Sequence, residues 1–253
     1  MQTLTETSLS GADIVAYIAL LLLAALSILF FVERPRHDSG VHSPKLAWIR
    51  GGSYTCAAIV IGWLAGVLDA ALTPAFSEYA GPGNVTWVVL TAVCVGTVLW
   101  GYVYWWPKGT LQYDRPSHPI AAGVFGVFWG LGSGLLQLTL FAMVATTGLG
   151  RAATAVAVYL LFAIFNLNLQ SGWWDIHVSP PHNIRAWNAR KVLFAHNPFL
   201  IATLAHYTLF DQAIVLIALQ SSALACAAIA MHFPPFWAAD GTMRVSHETA
   251  LGE

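Results

Sequence analysis

Residues 197–231 read NPFLIATLAHYTLFDQAIVLIALQSSALACAAIAM, an apolar run with no Gly, Lys or Arg and no Pro after Pro198. Asn197-Pro198 is a helix start, a capping side chain followed by proline at the first helical position. As one straight helix the 35 residues would extend about 50 Å, against a hydrocarbon core of about 30 Å. One reading lets this helix project beyond the bilayer on the cytoplasmic side. Another puts a bend at Asp211-Gln212, between a partly buried first half and a true span at 213–231. A reversal there would add a seventh span, but it would have to be made without Gly or Pro. Six spans are therefore expected.

Upstream, apolar runs alternate with charged loops. Spans of about 20 residues are expected near 12–32, 52–72, 85–106, 119–144 and 151–170. Glu33-Arg34-Pro35-Arg36 stops the first, and Asp69 stands near the far end of the second, as an interfacial acid or a partner of Arg151. The third finishes in Trp100, Tyr102, Tyr104, Trp105 and Trp106, an interfacial aromatic anchor before Pro107. In the fourth, Gly126, Gly130 and Gly134 recur every four residues, so they share a face and admit a close helical neighbour. Loops 33–51, 107–118 and 171–197 hold nine of the eleven Lys and Arg, leaving Arg151 and Arg244 outside. Short cytoplasmic loops are enriched in these residues, so both termini are expected outside the cytoplasm. The expected fold is all-α, a polytopic transmembrane bundle of the cell membrane, a single domain over 1–253 with a polar tail at 233–253.

Composition agrees. Hydrophobic residues make up 57% of the chain and charged residues 9%, with a mean hydropathy of +0.65. A soluble domain carries about 25% charged residues because its surface must be wetted. A net charge of −1 gives no basic field for nucleic acid, which is excluded as a partner. Cys56, Cys94 and Cys226 lie in apolar runs without pairable spacing and read as small core residues. Residues 1–10 contain no Lys or Arg, so they lack the basic region of a secretory signal, and the first apolar run is expected to be retained. No internal repeat supports an inverted-repeat transporter.

Polar side chains gather between Phe165 and Gln212, which includes four of the nine histidines, His177, His182, His196 and His206. Asn166 and Gln170 share one helical face with Asn168 close by; such groups bond between helices or contact a substrate. Asp175, His177 and His182 follow at the membrane surface, a carboxylate and two imidazoles around a stiff Pro180-Pro181. First-row metals accept such ligands, although the spacing matches no standard motif and a merely interfacial loop has the same composition. His206 is the histidine expected inside the apolar region, where an ionisable group suggests function by default and a neutral, bonded imidazole is the plain alternative. His196 lies about 15 Å from it along one helix, too far to share an ion. A bis-histidine haem is disfavoured, since the other spans hold no interior histidine.

The run Asp175-Ile176-His177-Val178-Ser179-Pro180-Pro181-His182 resembles an Asp-x-Asp-Phe-Thr-Pro-Ser-His run found in the particulate methane and ammonia monooxygenases. That resemblance implies a copper ligand at His182. It covers eight residues of 253, and the family's upstream Asp-x-x-x-His, which supplies the other ligands, is absent where this chain reads Phe165 to Leu169. No family is assigned on it.

The functional expectation is a membrane enzyme with its site at the cytoplasmic face between the last two spans. His177, His182 and His206 would bind copper, iron or zinc, with Asp175 and Asp211 as catalytic carboxylates. Asn166, Asn168, Gln170, Trp173, Trp174, Trp187 and Tyr207 would contact a lipophilic substrate arriving from the bilayer, and oxidation or hydroxylation is the expected class. A metal-independent alternative is an acid–base cyclase or isomerase of a prenyl or polyene substrate. There Asp175 or Asp211 donates the proton and the tryptophans stabilise a carbocation. The remaining alternatives are a transporter, or a non-catalytic membrane component docking a protein partner or a second copy of the chain.

Overall fold

The computed structural model describes residues 18, 41–72, 79–108, 111–112, 117–165, 192–242 and 244–245. The expected first span (apart from residue 18) lies outside them, as do Asn166, Asn168, Gln170, Trp173, Trp174, Asp175, His177, His182 and Trp187. Everything described is helical except for short connections and two antiparallel pairings of two residues each. These join β1 (Val41–His42) to β3 (Gly241–Thr242) and β2 (Leu111–Gln112) to β4 (Arg244–Val245).

Proline opens α1 (Pro44–Leu64) and α4 (Pro119–Ala145), at a position where its missing N–H costs nothing, and Pro198 stands in the first turn of α6 (Asn197–Phe210). Because Ser43-Pro44 acts as a start signal, α1 begins eight residues before the expected 52 and carries Arg50 into a buried position. It ends at Gly66, whose φ of +68° suits glycine, and the short α2 (Val67–Leu72) follows. Asn84 caps α3 (Val85–Val98), its side-chain oxygen accepting from the N–H groups of Thr86 and Trp87. This helix continues as a π-helical stretch, Leu99–Trp105. A second π-helical stretch, Val192–His196, leads into α6. The remaining long helices are α5 (Arg151–Phe165) and α7 (Ala213–Ala230).

Among the described residues, three helices are long and apolar enough to cross a membrane: Val85–Trp105, Pro119–Ala145 and Ala213–Ala230, while Arg151–Ala163 is apolar but shorter. Their outward faces expose Val89, Leu99, Val127, Leu160 and Ile229, as a lipid-facing surface would.

The centre of the bundle is α4. A Cβ placed on Gly126 would fall on the backbone of Leu224 and Ala225; one on Gly130 would lie 2.5 Å from the carbonyl oxygen of Gln220, and one on Gly134 3.0 Å from Cα of Ile217. The expected glycine face thus seats α7, antiparallel to α4. On another face, Gly132 lets Tyr54 and Thr55 of α1 approach, and Thr55 Oγ1 donates to the Phe128 carbonyl at 2.7 Å.

The expected path between α6 and α7 is overturned. Asp211 adopts the left-handed conformation (φ 54°, ψ 35°) and closes α6, its N–H donating to the Tyr207 carbonyl at 2.8 Å. Asp reaches this region without glycine because its short polar side chain tolerates it. The chain doubles back: His196 and Gln220 line one cavity, whereas a straight helix would hold them about 36 Å apart. This reversal also moves the C-terminal segment. Phe233 stacks on Phe125 at 4.0 Å, Trp48 Nε1 donates to the Pro234 carbonyl at 3.0 Å, and residues 241–242 and 244–245 pair with 41–42 and 111–112 respectively. The tail therefore lies at the end that carries two of the basic loops, not at the opposite one.

Candidate functional site

Of the residues expected to catalyse or to bind metal or substrate, the structure describes His206, Tyr207 and Asp211, and all three sit at the hairpin end. His206 is buried, its Nε2 within 3.1 Å of Thr91 Oγ1 and its ring beside Trp87 and Phe210. Tyr207 packs perpendicular to Phe141, and its carbonyl accepts from Arg151 Nη2 at 3.0 Å. The same guanidinium holds Asp211 Oδ1 at 3.1 Å, so the acid paired with Arg151 is Asp211 and not Asp69. Arg151 is the first residue of α5, where the helix dipole disfavours a cation, and the carboxylate offsets that. Beside them Gln212, wholly buried, donates to the Ala80 carbonyl at 2.7 Å and accepts from Trp87 Nε1. This end is a network that fixes the hairpin. Among the described residues, no group of three or more metal-ligating side chains occurs.

A different polar group lies deeper in the bundle. The two π-helical stretches face each other, close enough that a Cβ on Gly101 would come within 2.9 Å of Cα of Ala195. Each presents one member of a pair: the Tyr102 hydroxyl is 2.8 Å from His196 Nδ1. Trp106 packs edge-on to the imidazole at 4.9 Å, and Phe199 lies against Tyr102 at 5.1 Å. Single π-helical turns recur at functional sites because the extra residue re-aims the side chains around it. Trp100 and Tyr104, by contrast, are exposed and packed against each other with their rings tilted, as an interfacial anchor allows.

The Tyr102–His196 pair borders a cavity of about 10 Å³, room for one water. Ser133, Gln137 and Gln220 complete its polar lining, and Phe162, Phe199, Leu200 and Leu224 its apolar lining. Ser133 is engaged with the Tyr54 hydroxyl at 3.3 Å. Gln137 has no exposed surface, and neither its Nε2 nor its Oε1 has a partner among the described residues. Burying an amide unbonded costs roughly 2–7 kcal/mol depending on the reference state, so such a side chain points to an occupant. Phe162 is eleven residues past Arg151, about 16 Å along α5, which sets the cavity well away from the hairpin end.

Sequence reasoning misses this centre. Tyr102 reads as part of the interfacial anchor, His196 drops out on its distance from His206, and the amides escape a search directed at ionisable groups. The usable signal is Gln137 and Gln220, uncharged amides within largely apolar runs. No family model, curated protein or solved structure matches the chain.

Proposed function

We propose that the protein is a multi-pass cell-membrane enzyme acting on a lipophilic molecule, with its centre at the Tyr102–His196 pair. The observation that carries this reading is that pair, presented by two facing π-helical stretches beside the unbonded Gln137. The basic loops mark their end of the bundle as cytoplasmic, and the C-terminal segment paired with them is then cytoplasmic too.

The polar segment 166–191 joins the bundle at Phe165 and Val192. Both junctions belong to the His196 end: Phe162 lines the cavity with His196, and Val192 begins the stretch that carries it. In this reading Asp175, His177 and His182 act with His196 and not with His206, about 15 Å further along the helix. They would bind copper, iron or zinc for oxidation or hydroxylation, with His196 as a further ligand through Nε2. The Tyr102 bond to Nδ1 is the kind that orients a metal-ligating imidazole. Asn166, Asn168 and Gln170 would orient the substrate, and Trp173, Trp174 and Trp187 would cover its apolar part. Asp211, held by Arg151 at the far end, serves the hairpin in this reading.

The same pair supports a second, metal-independent reading. A bonded phenol and imidazole can exchange a proton, as an acid–base cyclase or isomerase of a prenyl or polyene substrate requires.

Elemental analysis of protein purified in mild detergent separates the two. The metal reading expects a stoichiometric transition metal in wild type and in His206→Ala, lost in His182→Ala and in His196→Ala. A metal-free wild type leaves the acid–base reading. Metal retained in His196→Ala and lost in His206→Ala contradicts the placement of the site.

A further inference from the structure

We propose that the cavity between Tyr102, Ser133, Gln137, His196 and Gln220 binds one hydroxyl oxygen through the Gln137 side-chain amide, supplied by a water or by the end of a lipophilic alcohol. The alcohol source rests on the enzyme reading above and names its substrate class. The binding site itself does not depend on that reading.

Size and chemistry select the occupant. A cavity of about 10 Å³ takes one second-row atom and no ring or branched head group. Gln137 offers a donor at Nε2 and an acceptor at Oε1, both buried and without a partner among the described residues. A hydroxyl oxygen satisfies both because it accepts and donates through one atom. An ether or carbonyl oxygen would answer only Nε2. An ammonium or carboxylate would bring a charge into the bundle interior, where the described side chains lining this cavity include no Asp, Glu, Lys or Arg to pair with it. The cavity has room for the hydroxyl alone, so the alkyl chain of an alcohol would leave it past the apolar wall of Phe162, Leu200 and Leu224. Tyr102 and His196 then stand beside the bound oxygen, where its proton could be exchanged.

The test uses the full chain in detergent, with dodecan-1-ol and its methyl ether as probes. An experimental structure of the wild type is expected to show an oxygen within hydrogen-bonding distance of Gln137. If the source is an alcohol, dodecan-1-ol raises the Tm, the methyl ether does not, and Gln137→Leu loses the response. If the source is water, the oxygen is isolated and the two probes act alike. A structure in which Gln137 bonds only to protein atoms and no oxygen occupies the cavity overturns the inference. Should Gln137→Leu fail to fold, Gln137→Met carries the same comparison. Metal content reads the enzyme proposal separately, so a metal-bearing protein with an empty cavity sinks only this inference. A metal-free protein with a filled one sinks only the metal chemistry.

Discussion

Replacing Gly130 with leucine is expected to abolish the folded bundle. A Cβ at this position already lies 2.5 Å from the Gln220 carbonyl oxygen, and the atoms it meets are backbone, which cannot rotate aside. Overpacking usually costs about 1–3 kcal/mol because side chains yield; here a whole helix must move, so even Gly130→Ala should cost about 3 kcal/mol or more. At about 2–4 °C per kcal/mol, that lowers the Tm by roughly 6–12 °C. Gly52→Ala and Gly96→Ala are the controls, since nothing lies within 4 Å of the added carbon. Both should be neutral or gain up to about 1 kcal/mol from helix propensity. Thermal unfolding in detergent reads all four variants, and a Gly130→Ala protein as stable as Gly52→Ala would show that α4 and α7 do not meet at this seam.

Gln212→Leu should be the next most damaging change. Its volume is nearly conserved, so the effect isolates the two buried hydrogen bonds that tie the hairpin to Trp87 and Ala80. Losing both is expected to cost about 2–4 kcal/mol, well above the median for a point substitution. Gln212→Glu, when ionised, sets a buried carboxylate against the Ala80 carbonyl oxygen, so its Tm should fall at least as far as that of Gln212→Leu. If the leucine and glutamate variants unfold at the wild-type temperature, the hairpin does not depend on this residue.

Much of the architecture is legible in the sequence because it is encoded locally. Pro119 announces a helix start, and the spacing of Gly126, Gly130 and Gly134 announces a close neighbour, whereas Asn197 caps nothing because helical residues 192–196 run into it. The reversal at Asp211-Gln212 is not legible because its causes are remote. An aspartate in the left-handed region leaves no mark in its own neighbourhood, and its partner Arg151 and the anchors of Gln212 lie 60 or more residues away. The site is obscured for a related reason. The two π-helical stretches that bring Tyr102 to His196 meet at Gly101 and Ala195, two residues from distant parts of the chain. Gln137 and Gln220 stand in plain view, but an uncharged amide in an apolar run shows its importance only once its partners are known.

The doubling back of the chain at Asp211 decides which histidine shares an end with the polar segment and where the C-terminal tail lies. Leu193 and Ile229, both exposed, stand eighteen residues before and after that turn. Spin labels on Leu193→Cys and Ile229→Cys, with Cys56, Cys94 and Cys226 replaced by alanine, report their separation by pulsed electron paramagnetic resonance. Antiparallel helices in one bundle, with axes about 8–10 Å from their neighbours, predict a distance below about 30 Å. A distribution centred near about 54 Å, the length of 36 residues in one straight helix, would contradict the hairpin and the placement of the site at His196.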